Sequence, residues 1–230
     1  MSRRADKKAE TRESILSASL GLFQHRGYRE TTMRDIAAAA DIALGTTYNY
    51  FPTKEHLALA FFERSLERVM QRYRREADDG MALEERVFLL LASQVEEMTP
   101  YSTFLHAVLP QAAAPGSRLS PFGAEVGRLK HRFLELVTEI VAEASACGEL
   151  PDLPGYRDML LQAFWVYDLG ILLFWLNDDS EGSAETYALI DRSLRFLIGA
   201  LREGGAMDVL SLAETGREGR EAGAAGDDAG

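Results

Sequence analysis

Hydrophobic residues recur at helical spacing along most of the chain, and no segment shows the strict alternation that is typical of a half-buried strand. The segment 83–98 is a clear case, because Val87, Leu91 and Val95 fall on one face of a helix. Stretches rich in Pro, Gly or Asp separate such segments and act as breaks. The pattern therefore predicts an all-α protein of about nine helices.

Capping and breaking residues place the ends of these helices. Gly27 suits the C-terminal cap of the first helix. Thr53, Ser120 and Ser183 suit N-terminal caps. The expected helices cover residues 11–25, 32–40, 44–51, 53–76, 83–98, 100–108, 120–146, 156–177 and 183–202. The Pro-containing segments 110–121 and 148–155 are expected loops.

The segment 32–57 combines two short helices, a tight turn and an aromatic stretch that leads into a longer helix. Thr32 and Asp35 form a capping box, in which each side chain satisfies a free backbone donor at the start of the first short helix. Asp41 interrupts the helical pattern, and the second short helix begins beside Gly45. This order is typical of a helix-turn-helix, which places its second helix in the major groove of DNA.

The segment resembles the DNA-binding domain of the tetracycline-repressor (TetR) family, over roughly the first sixty residues of the chain. The matching residues are Ile15, Leu16, Phe23, Gly27, Thr31, Thr32, Ile36, Ala37, Ala40, Ile42, Gly45, Thr46, Tyr48, Tyr50, Phe51, Lys54 and Leu57. Two positions depart from the family pattern. Asp41 replaces the usual turn glycine, and aspartate tolerates left-handed backbone angles. Ala43 replaces the usual capping serine or threonine, a loss of about 1 kcal/mol.

Carried over by position, the resemblance implies that the start of the first short helix and the first turns of the second contact DNA. The implicated residues are Thr32, Met33, Arg34, Leu44, Gly45, Thr46, Tyr48, Tyr50 and Lys54. Tyr48, Tyr50 and Lys54, with the hydroxyl of Thr32, suit phosphate contacts, which position a protein without reading the sequence. The alternative for the two tyrosines is packing within the small domain.

Sequence recognition is expected from fewer groups. Arg34 is the side chain among them that can bind guanine O6 and N7 through two hydrogen bonds. Leu44 and the methyl group of Thr46 suit a thymine methyl, and Gly45 allows the backbone to approach closely.

The net charge of −11 is unevenly distributed. Residues 1–76 hold 14 Lys and Arg against 10 Asp and Glu, a net charge of +4. Residues 77–230 hold 11 against 26, a net charge of −15. The positive part therefore coincides with the helix-turn-helix, as a phosphate-binding surface requires. A basic N-terminal arm, with Arg3, Arg4, Lys7 and Lys8, either follows the DNA or stays solvated, and the sequence leaves both open.

Four parts are expected along the chain. They are a basic N-terminal arm (1–10), a helix-turn-helix DNA-binding domain (11–57), a helical effector-binding and dimerisation domain (58–203) and a disordered, acidic Gly/Ala-rich tail (204–230). The helix 156–177 is apolar almost all round, but Asp168 near its centre argues against a membrane span and for burial on every side. The resemblance implies a homodimer on a palindromic operator, joined through helices 156–177 and 183–202.

The resemblance also implies a small-molecule cavity in the C-terminal helices. The candidate lining residues are Met98, Tyr101, Phe104, His106, Phe133, Phe164, Trp165 and Trp175. The alternative for each of them is ordinary core packing. Polar contacts are expected from His106, His131 or Asp168, and the aromatic wall favours an apolar or aromatic effector.

The expected function is that of a cytoplasmic, homodimeric repressor that a small effector releases from its operator. The alternative is a DNA-binding regulator without an effector, constitutive or architectural. The sequence argues against an enzyme, because its four histidines lie singly, no glycine-rich phosphate loop occurs and Cys147 has no evident partner. No cofactor or metal is expected. The N-terminus has charged residues where a signal peptide is apolar.

Overall fold

Nine α-helices and two short 3-10 helices make up the described part of the chain. The computed structural model describes residues 3–78, 80–112, 116–151 and 157–202. The helices are α1 (Arg3–Arg26), α2 (Met33–Ala39), α3 (Leu44–Tyr50), α4 (Lys54–Glu76), α5 (Leu83–Met98), α6 (Ser102–Ala112), α7 (Ala124–Ala146), α8 (Arg157–Leu176) and α9 (Ala184–Arg202), with 3-10 turns at Thr99–Tyr101 and Glu181–Ser183. No strand occurs in these ranges, so the all-α prediction is confirmed.

Several predicted helix ends are confirmed. Thr53 occupies the N-cap position of α4, which ends at Glu76 as expected, but its side chain makes no capping hydrogen bond. Gly27 follows α1 with a φ of 96°, and its N–H donates to the Phe23 carbonyl over 3.2 Å. Only glycine adopts such an angle without strain, which explains why α1 ends here.

The N-terminal segment is helical rather than a loose arm. α1 begins at Arg3 and runs without a break through the expected boundary at residue 10. Residues 3–10 contain no Gly or Pro, and Asp6 in the first turn suits the positive end of the helix dipole. The expected arm is therefore corrected to the first turns of α1.

The connection between α6 and α7 also differs from the prediction. α6 continues through Pro110, which removes one intrahelical hydrogen bond but lies in the last turn of the helix. Ser120 does not cap α7, because its carbonyl accepts the Gly123 N–H over 2.9 Å and closes a turn. α7 therefore begins at Ala124.

The start of α9 is capped from further upstream than expected. Ser183 is not its cap, since it lies in the preceding 3-10 turn with a φ of 59°. Instead, Ser180 Oγ accepts the Glu185 N–H over 3.0 Å, and Asp178 Oδ2 accepts the Thr186 N–H over 2.8 Å. Hydrogen bonds from the Ser180 and Thr186 side chains and backbone lower the pKa of Asp178 to about 2.

Two hydrophobic clusters form the core. The first joins α1–α3 and the start of α4 to α6, the start of α7 and the ends of α5 and α8. The second joins the rest of α4 and α5 to α7, α8 and α9. Phe104 on α6 is fully buried in the first cluster, where its ring meets Phe23 and Phe61. The helix-turn-helix unit therefore shares its core with helices beyond residue 58.

Three expectations fall wholly or partly outside the described residues. The predicted break at 148–155 is described only as far as residue 151, and the predicted start of α8 at Tyr156 precedes the first described residue of that helix. The predicted tail, 204–230, also lies outside the described ranges.

Candidate nucleic-acid interface

The capping box at the start of α2 is present as predicted. Thr32 Oγ1 accepts the Asp35 N–H over 3.2 Å, while Asp35 Oδ2 accepts the Thr32 N–H over 2.9 Å. Arg26 adds an ion pair to Asp35 with an N–O distance of 3.2 Å. The hydrogen bonds from Thr32, together with Arg26, lower the pKa of Asp35. These contacts fix the direction in which α2 leaves α1.

The turn between α2 and α3 contains both departures from the family pattern. Asp41 has a φ of 55°, so it adopts the left-handed conformation expected where glycine is usual. The Ile42 N–H then donates to the Ala37 carbonyl over 2.9 Å. Ala43 is the N-cap residue of α3 and makes no side-chain capping hydrogen bond. The helix α3 therefore starts without the usual side-chain cap.

α3 presents one face to solvent and the other to the core. Thr47 is fully buried, and Leu44 and Tyr50 are partly buried against the first cluster. Gly45 and Tyr48 are exposed, and the Tyr48 side chain retains 46% of its accessible surface. Of the two roles considered for the tyrosines, packing within the domain applies in part to Tyr50, while Tyr48 faces outward and is accessible for a phosphate contact.

The residues at the start of α2 that were predicted to contact DNA also lie in different environments. Arg34 is exposed, so its guanidinium is accessible to a partner. Met33 is only 9% exposed and belongs to the core of the helix-turn-helix unit. The inclusion of the Met33 side chain among groove-facing residues is therefore corrected, because helical geometry turns it away from Arg34. Thr32 is exposed, and its hydroxyl also donates to Asp35 over 2.7 Å.

Lys54 makes contacts that were not predicted from the amino-acid sequence. Its Nζ donates to the Tyr28 carbonyl over 2.6 Å and to the Arg29 carbonyl over 3.3 Å. The same atom lies 4.5 Å from the centroid of the Tyr28 ring. Partial burial lowers the pKa of Lys54. In this geometry Lys54 ties the loop after α1 to the start of α4.

Asn49 is a further exposed polar residue, which sequence reasoning did not select. It lies one turn after Gly45 and next to Tyr48 on the solvent-facing side of α3. A carboxamide can bind adenine N6 and N7 through two hydrogen bonds. The sequence did contain one indication of this position: Asn49 follows Gly45 by four residues, which places both on the same face of a helix.

The eight residues that were expected to line an effector cavity do not lie together in the structure. Met98, Tyr101, Phe104 and Trp175 pack in the first cluster, Phe133, Phe164 and Trp165 pack in the second, and His106 is exposed. His131 is also exposed, and its imidazole lies 3.2 Å from Glu135. The alternative of ordinary core packing describes seven of the eight in this structure.

The apolar helix α8 has two distinct stripes. The inward stripe, which packs within the chain, is Trp165, Asp168, Ile171 and Trp175. The outward stripe of exposed large residues is Met159, Val166, Leu173 and Phe174, and α9 exposes Phe196 and Leu197. Burial on every side is therefore not reached within one chain. Among the described residues α8 alone is long and apolar enough to cross a membrane, which for a single helix is weak evidence.

Comparison with known proteins matches both halves of the chain. Residues 15–61 match the family described as bacterial regulatory proteins, tetR family, and residues 86–215 match the tetracyclin repressor-like C-terminal domain. The HTH-type transcriptional repressor KstR of Mycolicibacterium smegmatis is 26% identical over 195 residues, or 85% of this chain and 90% of that protein. KstR of Rhodococcus jostii is 44% identical over 63 residues, which are 27% of this chain and 30% of that protein.

A solved structure, Salmonella enterica GusR, has a similar fold, with a TM-score of 0.62 and 21% identity over 84% of this chain and 96% of its own. Since the C-terminal family match alone spans more than half of the chain, the chain belongs to the TetR family of bacterial regulatory proteins. This is a non-enzymatic family of DNA-binding transcriptional regulators, and membership implies operator binding and dimerisation.

Proposed function

We propose that this regulator is a cytoplasmic homodimeric repressor, which binds a palindromic operator through α3 and is released by a small apolar or aromatic effector. The observation that carries the DNA-binding part is the exposed face of α3 beside the exposed Arg34, on the positively charged part of the chain. Repression is supported by the KstR relatives, which are repressors by name.

The proposed DNA contacts divide by chemistry. Arg34 binds a guanine through two hydrogen bonds, and Asn49 binds an adenine in the same manner. Leu44 and Thr46 contact thymine methyl groups beside the close approach at Gly45. Phosphate contacts then come from the hydroxyls of Tyr48, Tyr50 and Thr32 and from the amine of Lys54.

The proposed dimer interface is the outward stripe of α8 together with the exposed residues of α9. Leu173 follows Val166 by seven residues, so the two lie along one line on the helix surface. Exposed apolar residues in such a line favour packing against an identical helix pair. Two-fold symmetry then sets two reading helices roughly 34–36 Å apart, the distance between successive major grooves. We infer a division into a DNA-binding part, which begins with α1 and ends at residue 57, and an effector-binding and dimerisation part, 58–203.

Selection of binding sites from a random DNA pool tests the proposal. The full-length protein is expected to enrich an inverted repeat whose half-sites lie one helical turn apart, or a multiple of it. Enrichment of a single unrepeated motif, or of none, would contradict the proposal that a dimer binds two half-sites.

A regulator without an effector is the second candidate, and the packing of the expected effector contacts in two core clusters favours it. The two candidates differ in linkage. An allosteric effector must bind less tightly in the presence of operator, by the factor with which it weakens DNA binding. A ligand that binds equally well with and without operator would support the second candidate.

A further inference from the structure

The first turns of α1 project from the packed core. Among the described side chains of this helix, those of residues 5–10 are all exposed and Ile15 is the first that is buried. The first described side chain of α1 that contacts another helix is that of Arg12. Residues 3–11, the basic extension, therefore reach about 13 Å beyond this contact. Apolar burial within the chain does not hold the extension in place.

The contacts of Arg12 place the start of the extension beside α3. Its guanidinium carbon lies 5.2 Å from the centroid of the Phe51 ring, and its Nη2 pairs with Glu63 on α4 over 3.0 Å. Phe51 is the C-cap residue of α3, and its N–H donates to the Thr47 carbonyl over 2.9 Å. Lys8 precedes Arg12 by four residues, so it lies on the same side of α1, one turn further out. Lys8 is therefore on the side of α1 that meets the end of α3.

The basic extension carries an excess of positive charge. Residues 3–8 hold four basic residues against one acidic residue, Asp6. Lys7 and Lys8 are exposed, and neither forms an ion pair within the described part of the chain. Cations in the first turns of a helix also face the positive end of its dipole, which disfavours them there. A polyanion along the extension removes both costs, and a DNA duplex bound by α3 brings such a polyanion close to it.

We propose that the basic extension is a second DNA-binding surface, in which Lys8 contacts a backbone phosphate outside the half-site that α3 reads. This inference rests on the proposed operator binding by α3. A lysine ammonium binds phosphate as a point charge and does not distinguish bases, so the contact adds affinity without altering the operator sequence. Because the extension is already helical, its binding requires less ordering than that of a flexible arm.

Two operator duplexes test where this contact lies. The short duplex ends at the outer base pairs of the selected inverted repeat, and the long duplex continues on each side for about ten base pairs, one helical turn. The wild-type protein is expected to bind the long duplex more tightly, because only this duplex carries the flanking phosphates. Equal affinities for the two duplexes would overturn the proposal.

Lys8→Gln removes the charge at an exposed position and keeps a good helix former there. On the long duplex, the slope of log affinity against log salt concentration is expected to become less steep by about 1.8, roughly 0.9 for one phosphate contact in each of two subunits. The affinity at physiological salt is expected to fall about 10-fold or more. On the short duplex the variant should bind as the wild type does. An unaltered slope on the long duplex, or an equal loss on both duplexes, rejects the contact.

Two further variants separate the charge of Lys8 from a structural effect. Lys8→Arg keeps the charge and is expected to retain the wild-type slope on the long duplex. Arg128→Gln removes the same charge from an exposed position on α7 and should also leave the slope unaltered. A slope reduced as much in either of these variants as in Lys8→Gln would overturn the proposal, and circular dichroism reports whether each variant keeps its helix content.

Operator selection with the wild-type protein separates this surface from the proposed function. If an operator is selected and Lys8→Gln binds its long duplex like the wild type, the surface is rejected and operator binding stands. If no operator can be selected, the proposed function fails, and the slopes on a random-sequence duplex still report whether Lys8 contacts a phosphate. If Lys8→Gln loses binding to anionic phospholipid vesicles but not to the long duplex, the surface belongs to a membrane contact and the proposal is overturned.

Discussion

The ring of Phe104 on α6 stacks on the ring of Phe23 on α1, with centroids 5.1 Å apart and planes 7° from parallel. Phe61 on α4 meets the same ring edge-on at 5.3 Å. Gln24 Nε2 adds a hydrogen bond of 2.7 Å to the Pro100 carbonyl just before α6. The segment that leads into the C-terminal domain is thus anchored in the core of the DNA-binding unit, so the position of α6 and that of the helix-turn-helix are linked by packing.

Phe104→Ala is expected to lower the free energy of unfolding by about 3–5 kcal/mol, because it removes a fully buried ring and leaves a cavity. Urea denaturation at fixed protein concentration measures the loss. Phe122→Ala is the control, since this ring is 75% exposed and its removal is expected to cost about 0.5 kcal/mol or less. Equal losses in the two variants would contradict the anchoring role of Phe104.

Arg34→Ala is expected to relax base preference at one position in each half-site, with a loss of discrimination of about 1–3 kcal/mol. Repeated site selection with the variant measures this change. Arg128→Ala removes the same charge from an exposed position on α7, far along the chain from the helix-turn-helix, and should return the wild-type motif. An unaltered motif for Arg34→Ala would show that this side chain does not read a base.

Phe196→Asp is expected to convert the dimer to a monomer, because it places a charge in the proposed apolar interface. Sedimentation velocity across a range of concentrations detects the change in mass. Phe122 has the same exposure of 75% but lies between α6 and α7, so Phe122→Asp should remain dimeric. A dimeric Phe196→Asp protein would place the interface elsewhere.

The unliganded protein should lose stability relative to Asp168→Asn as the pH rises. Burial raises the pKa of Asp168 from 3.8 to about 7, so the folded protein keeps a proton between these values that the unfolded chain has released. The resulting loss in the free energy of unfolding is absent below pH 3.8 and grows between pH 3.8 and about 7. Above this range the loss is complete and reaches roughly 4 kcal/mol.

Urea denaturation of both proteins over this pH range gives the difference directly. Asp158→Asn, which changes an exposed carboxylate, provides the baseline. If the difference in the free energy of unfolding between the wild-type and Asp168→Asn proteins stays constant with pH, burial does not shift the pKa of Asp168.

Ala43→Ser should stabilise the protein by about 0.5–1 kcal/mol, because it supplies the capping oxygen that α3 lacks. Thermal unfolding measures the gain. Ala38→Ser makes the same substitution inside α2, where serine is a poorer helix former than alanine, and is expected to destabilise slightly. A lower melting temperature for Ala43→Ser would show that the serine hydroxyl does not reach the free N–H groups.

Features that depend on neighbouring residues were predictable from the sequence. The Thr32–Asp35 capping box spans three residues, and the left-handed Asp41 follows from its place between two short helices. The inward face of α5 likewise follows from helical periodicity. In each case one turn of backbone brings the interacting groups together, whatever the rest of the chain does.

Features that depend on distant partners were not predictable. Lys54 donates to carbonyls 25 and 26 residues earlier, a contact that no local pattern marks. The cap of α9 comes from Asp178 and Ser180 because an intervening 3-10 turn redirects the chain. Likewise, the aromatic residues expected to form one effector wall divide between two clusters, because position along a helix does not specify which neighbouring helix a side chain meets.

The sequence by itself determined the helix-turn-helix, its two departures from the family pattern and the succession of helices, because short-range spacing and capping chemistry specify these features. The tertiary structure alone decided which sides of α8 are covered. Its composition is apolar all round, and only packing against α5, α6, α7 and α9 separates the inward stripe with Asp168 from the outward stripe with Leu173. Burial depends on which surfaces meet, and residues far apart in the chain supply those surfaces.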